Sequence, residues 1–268
     1  MLYIARNKRN TGMNLKLLIV ISAISCMLYS CSNHVYAPAL YHQDIAYMPK
    51  PASFSKEKMA NYASAGLNVY ADPTYINSQV SAQLNYSQGF RFDKGNFAWG
   101  VFGVAGNYER SNDSDDPNPD FKDKFFGAYG ARISANLLTK YDNLDWRYLG
   151  FEAAYSHEFG SYTDFRKQVA DNENYVVDPR TDLFTIGLTT EFVFHGQDPE
   201  IVHGLRGFLG TTIGKNILND PRYDSDINFN TRVFRTLVPR ASYFINVKRF
   251  FAVVEVGNAF FIRAGVKF

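Results

Sequence analysis

The stretch "YINSQVSAQLNYSQGF" (Tyr75–Phe90) alternates with a period of two. From Ile76 to Tyr86 the even positions are Ile76, Ser78, Val80, Ala82, Leu84 and Tyr86, most of them apolar. The odd positions are Asn77, Gln79, Ser81, Gln83, Asn85 and Ser87, all polar and uncharged. That period places the two sets on opposite faces of a β-strand. A water-soluble sheet would bury the apolar row and wet the other. A membrane barrel would turn the apolar row to lipid and the amide row to its interior. One strand does not choose between them, so the remainder of the chain must.

From Tyr62 onward the pattern is strand after strand, with ten candidates: 62–71, 75–87, 97–108, 125–137, 146–158, 181–194, 204–214, 231–246, 249–256 and 259–268. In 125–137, Phe125, Tyr129, Ile133 and Leu137 oppose Phe126, Ala128, Arg132, Ser134 and Asn136; in 181–194, Phe184, Ile186, Leu188, Phe192 and Phe194 oppose Thr185, Thr189 and Glu191. In 146–158, Leu149, Phe151 and Tyr155 oppose Gly150, Glu152 and Ser156. The polar faces are rich in small residues with isolated charges, which is what a narrow barrel can hold inside. The connections alternate in length: 109–124, 159–180 and 215–230 are long and rich in Asp and Asn, whereas 88–96, 138–145, 195–203 and the turn near Lys248 are short. Long loops on one side and short turns on the other are the habit of outer-membrane barrels. The reading is an all-β fold: a closed, antiparallel, up-and-down transmembrane β-barrel of about ten strands, with eight or twelve as alternatives.

The composition agrees. Among 268 residues, 16% are aromatic, with 18 Tyr and 23 Phe, and such rings favour strands and membrane interfaces. A mean hydropathy of −0.25 excludes a helical membrane bundle. "MLYIARNKRNTGMNLK" followed by the apolar "LLIVISAISCMLYS" (Leu17–Ser30) has the layout of an export signal, with Met13 as an alternative start to Met1. This gives three segments: a signal peptide at 1–30, an extended tether at 31–61, which the lipobox resemblance below implies is lipid-anchored, and the barrel at 62–268. The leader carries Arg6, Lys8, Arg9 and Lys16 and no acid, so removing those four from the net +2 leaves −2. The basic balance belongs to the leader and gives no argument for nucleic acid.

Three resemblances sharpen this. "LYSC" (Leu28–Cys31) resembles a bacterial lipobox, which implies that Cys31 becomes the acylated amino terminus; "AISC", ending at Cys26, fits less well. "CSNHVYAPALYHQ" with "PASFSKEKMANYASAGLNVY" resembles the start of uncharacterised Bacteroidota outer-membrane lipoproteins, through "YAP" (Tyr36–Pro38) and "SKEK" (Ser55–Lys58). Met59-Ala60 stands where that family often has Gly-Glu. No acid follows Cys31 directly, which on this resemblance implies a tether on the periplasmic leaflet. "NAFFIRAGVKF", with Phe260, Ile262, Ala264, Val266 and Phe268 on one face, resembles the last strand of bacterial outer-membrane proteins. In those the terminal aromatic, here Phe268, is read by the barrel-assembly machinery.

Little catalytic chemistry is visible. His195 and His203 flank "HGQDPEIVH" with Asp198 and Glu200, but a spacing of eight without Cys is a weak metal signature and reads as a solvated turn. Ser156 and His157 are adjacent on a strand and point to opposite faces, so they cannot pair. No metal or cofactor site is expected. What remains is a set of charges on the polar faces: Arg132, Glu152, Glu191, Arg206, Arg240, Glu255, Arg263 and Lys267. Buried charges need partners, so the first seven are expected to form an ion-pair network filling the lumen. The functional expectation is a non-enzymatic outer-membrane lipoprotein barrel, structural or accessory to a larger envelope protein complex. Its partners would be outer-membrane lipid and the barrel-assembly machinery. A narrow channel for small solutes is the alternative, and an outer-membrane hydrolase a more distant one.

Overall fold

The computed structural model describes residues 34–55, 57–71, 77–110, 123–173, 175–196, 198, 200–214, 217, 220 and 236–268. The proposed signal peptide and Cys31 lie outside them. Ten strands form a closed barrel: β2 (Met59–Ala71), β3 (Asn77–Arg91), β4 (Gly95–Arg110), β5 (Lys124–Lys140), β6 (Leu144–Phe159), β8 (Asp182–His195), β9 (Ile201–Thr212), β10 (Val238–Val247), β11 (Phe250–Val256) and β12 (Ala259–Lys267). Each pairs antiparallel with the next. β12 closes on β2 in the register Ala264↔Ala65, and Asn61 and Phe268 exchange main-chain hydrogen bonds of 3.0 Å beside the seam. Closure leaves no free sheet edge, the condition for burying strands in hydrocarbon. The ten strands correspond one to one with those read from the sequence, β10 beginning later than the expected Thr231. Among the described residues no helix is long and apolar enough to cross a membrane.

The strand faces sort as the alternation requires. Leu84 is 68% exposed and Val80 50%, while Gln79, Ser81, Gln83 and Ser87 point inward and are buried. The outer surface between the rims is predominantly apolar, with Leu67, Val101, Ile133, Leu188, Leu205 and Ile262 all exposed. Rings gather toward strand ends: Phe125, Tyr129, Tyr155, Phe159 and Phe184 toward one rim, Trp146, Tyr148, Phe192 and Phe250 toward the other. An apolar band between two aromatic girdles is the surface of a barrel that meets lipid.

At one rim the connections are short (92–94, 141–143, 196–200 and 248–249). The last is a two-residue turn that holds Lys248 at φ 57, the left-handed backbone such turns demand. This rim is called the turn face. The opposite rim, the loop face, carries the long connections 111–123, 160–181 and 213–237. The middle one contains α1 (Ser161–Gln168) and β7 (Tyr175–Val177), and β7 pairs in parallel with β1 (His34–Tyr36). Arg166 and Lys167 in the last turn of α1 suit its dipole.

The segment read as an extended tether is placed differently. Its residues from Val35 to Ala52 are almost all buried, those from Leu40 on inside the barrel, and the first wall strand begins at Met59 rather than Tyr62. The period of two that reveals wall strands is absent from this segment because every side of it meets protein.

A nitroxide carried on lipid should quench a fluorophore attached to a cysteine at Ala82 and leave one at Gln83 unquenched. Equal quenching at the two sites would mean that the even face does not touch lipid.

Candidate functional site

The site is the occupied lumen. A chain without regular structure exposes every peptide N–H and C=O, and buried ones must find partners. Here the wall supplies them, level by level from the loop face to the turn face. Uppermost, Leu40 N donates to Glu158 Oε1 at 2.5 Å, and Arg166 of α1 holds the same carboxylate at 2.7 Å. Tyr162 Oη donates to Ala37 O at 2.7 Å, Tyr36 packs edge-on to Phe165, and Tyr108 stacks on Tyr162, so a ring cluster caps this end. Next, His42 sits in the left-handed region at φ 62, with its N and Nδ1 3.2 and 2.9 Å from Thr212 Oγ1.

The middle levels carry the wall cations. Arg132 Nε donates to Asp44 O, Arg240 donates to Ile45 O and to His42 O (2.9 Å), and Arg263 donates to Tyr47 O. Glu255 accepts from Tyr47 N at 3.2 Å, and the Tyr47 ring stacks on Phe244 at 4.4 Å. Arg132 also lies 3.7 Å over the Phe102 ring. Gly130 makes room for that ring, since a Cβ there would stand 2.6 Å from its edge.

Below them, Lys50 Nζ reaches Glu191 Oε1 at 2.7 Å and Ser134 Oγ at 3.0 Å, while Arg147 takes Glu191 Oε2 at 2.5 Å. All three side chains are essentially without solvent contact. At the turn face Ser53 N donates to Asp145 Oδ2 at 2.6 Å, Ser53 Oγ bonds the other oxygen, and Arg91 donates to Ser53 O.

The seven charges singled out in the sequence are therefore all in the lumen, in two roles. Arg206 pairs with Glu152 and lies 3.6 Å from Glu255, which is 3.7 Å from Arg263: this is wall-to-wall pairing. Arg132, Arg240 and Arg263 instead grip main-chain carbonyls of the inner segment, and Glu191 is divided between wall and segment. Lys267 stays at the turn face, part-exposed, paired with Glu57 at 2.8 Å.

Arg147 and Asp145 escaped the sequence reading for a definite reason. A β-bulge between Arg147 and Gly150 puts Tyr148 and Leu149 outward in succession, which reverses the parity of everything before it. Glu158, which the sequence reading also left out, continues the inward row of Glu152 and Ser156, and that alternation is the signal that could have found it. Lys50 and Asp44 lie in the aperiodic segment, where no pattern marks them.

The charges are not evenly spread. Each of β5, β6, β8, β9, β10, β11 and β12 sends at least one buried charge into the lumen; between the rims, the described residues of β2, β3 and β4 send none: β3 offers amides and hydroxyls, β2 Asn68, and β4 mainly the apolar Ala98, Phe102 and Val104. On that side Asn68 bonds Gln43 at 2.7 Å, while polar atoms of Gln79, Ser81 and Asn85 have no protein partner. The cavity between Gln43, Asn68, Gln83 and Arg240 has room for about one water.

The histidines considered for chemistry are dispersed. His195 Nε2 is 2.8 Å from Asp142 O and its ring lies on Phe54 of the inner segment, while His203 lies outside, beside Phe194 and Tyr243. Ser156 faces inward to Asp44, and His157 outward to Asp182 at 2.9 Å.

No family model matches the chain, and no curated protein does. Solved structures with similarity include Neisserial surface protein A (13% identity, 79% of this chain and 98% of that one, TM-score 0.35). Others are an outer membrane channel from Pseudomonas putida F1 (9%, 82% and 100%, 0.38) and the translocator domain of the autotransporter NalP from Neisseria meningitidis (7%, 81% and 90%, 0.32). At these scores none of them bears on what this chain does.

Replacing Glu191 with Gln would leave Lys50 and Arg147 buried without their counter-charge, and loss of one partner from such a group costs about 3–5 kcal/mol. Lys267→Ala, at the exposed pair, should cost no more than about 1 kcal/mol. Urea midpoints of the folded, faster-migrating band on gels would rank the two, with Lys50→Met between them because Arg147–Glu191 survives it.

Proposed function

We propose that the protein is a non-enzymatic outer-membrane β-barrel lipoprotein, acylated at Cys31. Its lumen is sealed by its own amino-terminal segment, and it serves a structural or accessory role in a larger envelope assembly. The observation that supports the sealed state is the clamp just described. Wall groups bond the segment's main chain from Leu40 near the loop face to Ser53 at the turn face; the space beside Gln43 in mid-lumen admits about one water, and the wider cavity of about 1040 Å³ lies at the turn face, beside Lys50 to Phe54. The apolar outer band supports a bilayer location, and the run of long loops opposite short turns supports an outer membrane with loops outward. Phe268, exposed on the turn face beside Asn61, is accessible as a terminal signal for the assembly machinery.

A second reading, a narrow solute channel, is favoured by one feature. The amide row of β3 keeps polar atoms of Gln79, Ser81 and Asn85 unpaired next to the segment, as a hydrated path would. Conduction along it would require the segment to move.

Planar bilayers separate the two. The purified protein should show no steady unitary openings, and a form lacking residues 37–54 should conduct. Steady openings from the intact protein would favour the channel and overturn the sealed reading.

A further inference from the structure

The inner segment has a direction. Its contacts run in chain order down the lumen: Leu40 with Glu158, His42 with Thr212, Asp44 with Ser156, Tyr47 with Glu255, Lys50 with Glu191 and Ser53 with Asp145. On β6, Glu158 adjoins the loop face and Asp145 the turn face. They are thirteen residues apart, about 43 Å along a strand at ~3.3 Å per residue and about 33 Å along the axis at a ~40° tilt. The chain then leaves the lumen on the turn face and climbs back in the wall as β2. At its other end His34 pairs with Tyr175, and Asp178 N donates to Tyr36 O at 3.0 Å, so β1 is held by the loop between β6 and β8.

We infer that the chain upstream of His34 leaves the barrel on the loop face, so that Cys31 and any acyl group on it anchor in the leaflet on that side, the cell-surface leaflet. Three residue steps lead from Cys31 to His34, a reach of about 10 Å. The periplasmic leaflet lies roughly three times farther, beyond a lumen that is already full. The anchoring part rests on the proposed acylation of Cys31; the placement of the chain end does not. The strand parity that returns both ends of the barrel to the turn face remains true of Met59 and Phe268, but the chain before Met59 has crossed back. The tether is thereby an internal strut, and the lipid and the long loops share one surface.

The test uses the full-length protein in intact cells, with a short epitope inserted between Asn33 and His34 and, in separate variants, within 111–122 and 196–200. Folding is checked by heat-modifiable migration. Antibody should bind the 33/34 and 111–122 epitopes on intact cells, and the 196–200 epitope only after permeabilisation. If the 33/34 epitope requires permeabilisation while the 111–122 epitope does not, the inference is overturned. Should the insertion block folding, Asn33→Cys labelled by a membrane-impermeant maleimide reads the same face with the same two outcomes. Palmitate labelling compared with Cys31→Ala is read separately. Surface exposure of the epitope without Cys31-dependent labelling would sink the acyl anchor and leave the threading intact. Labelling at Cys31 with a periplasmic epitope would do the reverse.

Discussion

The structure depends on one constraint: a stretch of irregular chain is buried through the length of a barrel, so its peptide groups must be bonded by the wall. Regular elements satisfy their own backbones, and this segment does not. Unpaired, each buried N–H or C=O would cost on the order of 1–3 kcal/mol. The wall answers with the two side-chain types suited to the task. Arginines at 132, 240 and 263 donate to carbonyls, and carboxylates at 145, 158 and 255 accept from amides. Charge-assisted bonds of this kind are stronger than neutral ones. The wall's ionic groups are thus read better as the complement of a peptide backbone than as the lining of a pore.

Each of those ions then needs its own compensation, which explains the wall-to-wall pairs. Glu255 receives Tyr47 N and lies within reach of Arg206 and Arg263; Arg206 is completed by Glu152. Glu191 is the strictest case, with one oxygen on Lys50 of the segment and the other on Arg147 of the wall. A wall of this composition is poorly satisfied when empty and well satisfied when full, so occupation of the lumen and stability of the barrel are coupled.

The barrel itself was legible in the sequence because lipid and lumen impose a strict period of two. The rows Val80–Ala82–Leu84 and Gln79–Ser81–Gln83 lie on the faces the alternation assigns them. Two things were hidden. A bulge at Arg147–Gly150 shifts parity without any residue type announcing it, which concealed Arg147. The inner segment has no period at all, being enclosed on every side, and its three prolines and mixed polarity imitate a solvated linker. Its one legible hint was indirect: the inward row read from the sequence sets four arginines against three glutamates, and the acceptors it lacks are the carbonyls of Asp44, Ile45 and Tyr47.

The uncharged row of Tyr75–Phe90 can now be given a physical reason. The inner segment presents most of its bonded groups to β5–β12, where the charges are; toward β2–β4 it has the bond of Gln43 with Asn68 and, at the turn rim, that of Ser53 O with Arg91. A buried charge without a partner is prohibitive, whereas an amide or hydroxyl lacking one bond is a smaller cost that a single water can relieve. Gln79, Ser81 and Asn85 keep polar atoms unbonded where no ion is placed between the rims, whereas in the charged arc Arg132, Arg147 and Arg263 each leave one nitrogen unbonded but all have partners through the others. The grip on the segment therefore resides mainly in the charged arc. Moving the segment would leave the amides nearly as they are and strand the arginines and glutamates. It is this imbalance, more than the volume filled, that holds the lumen closed.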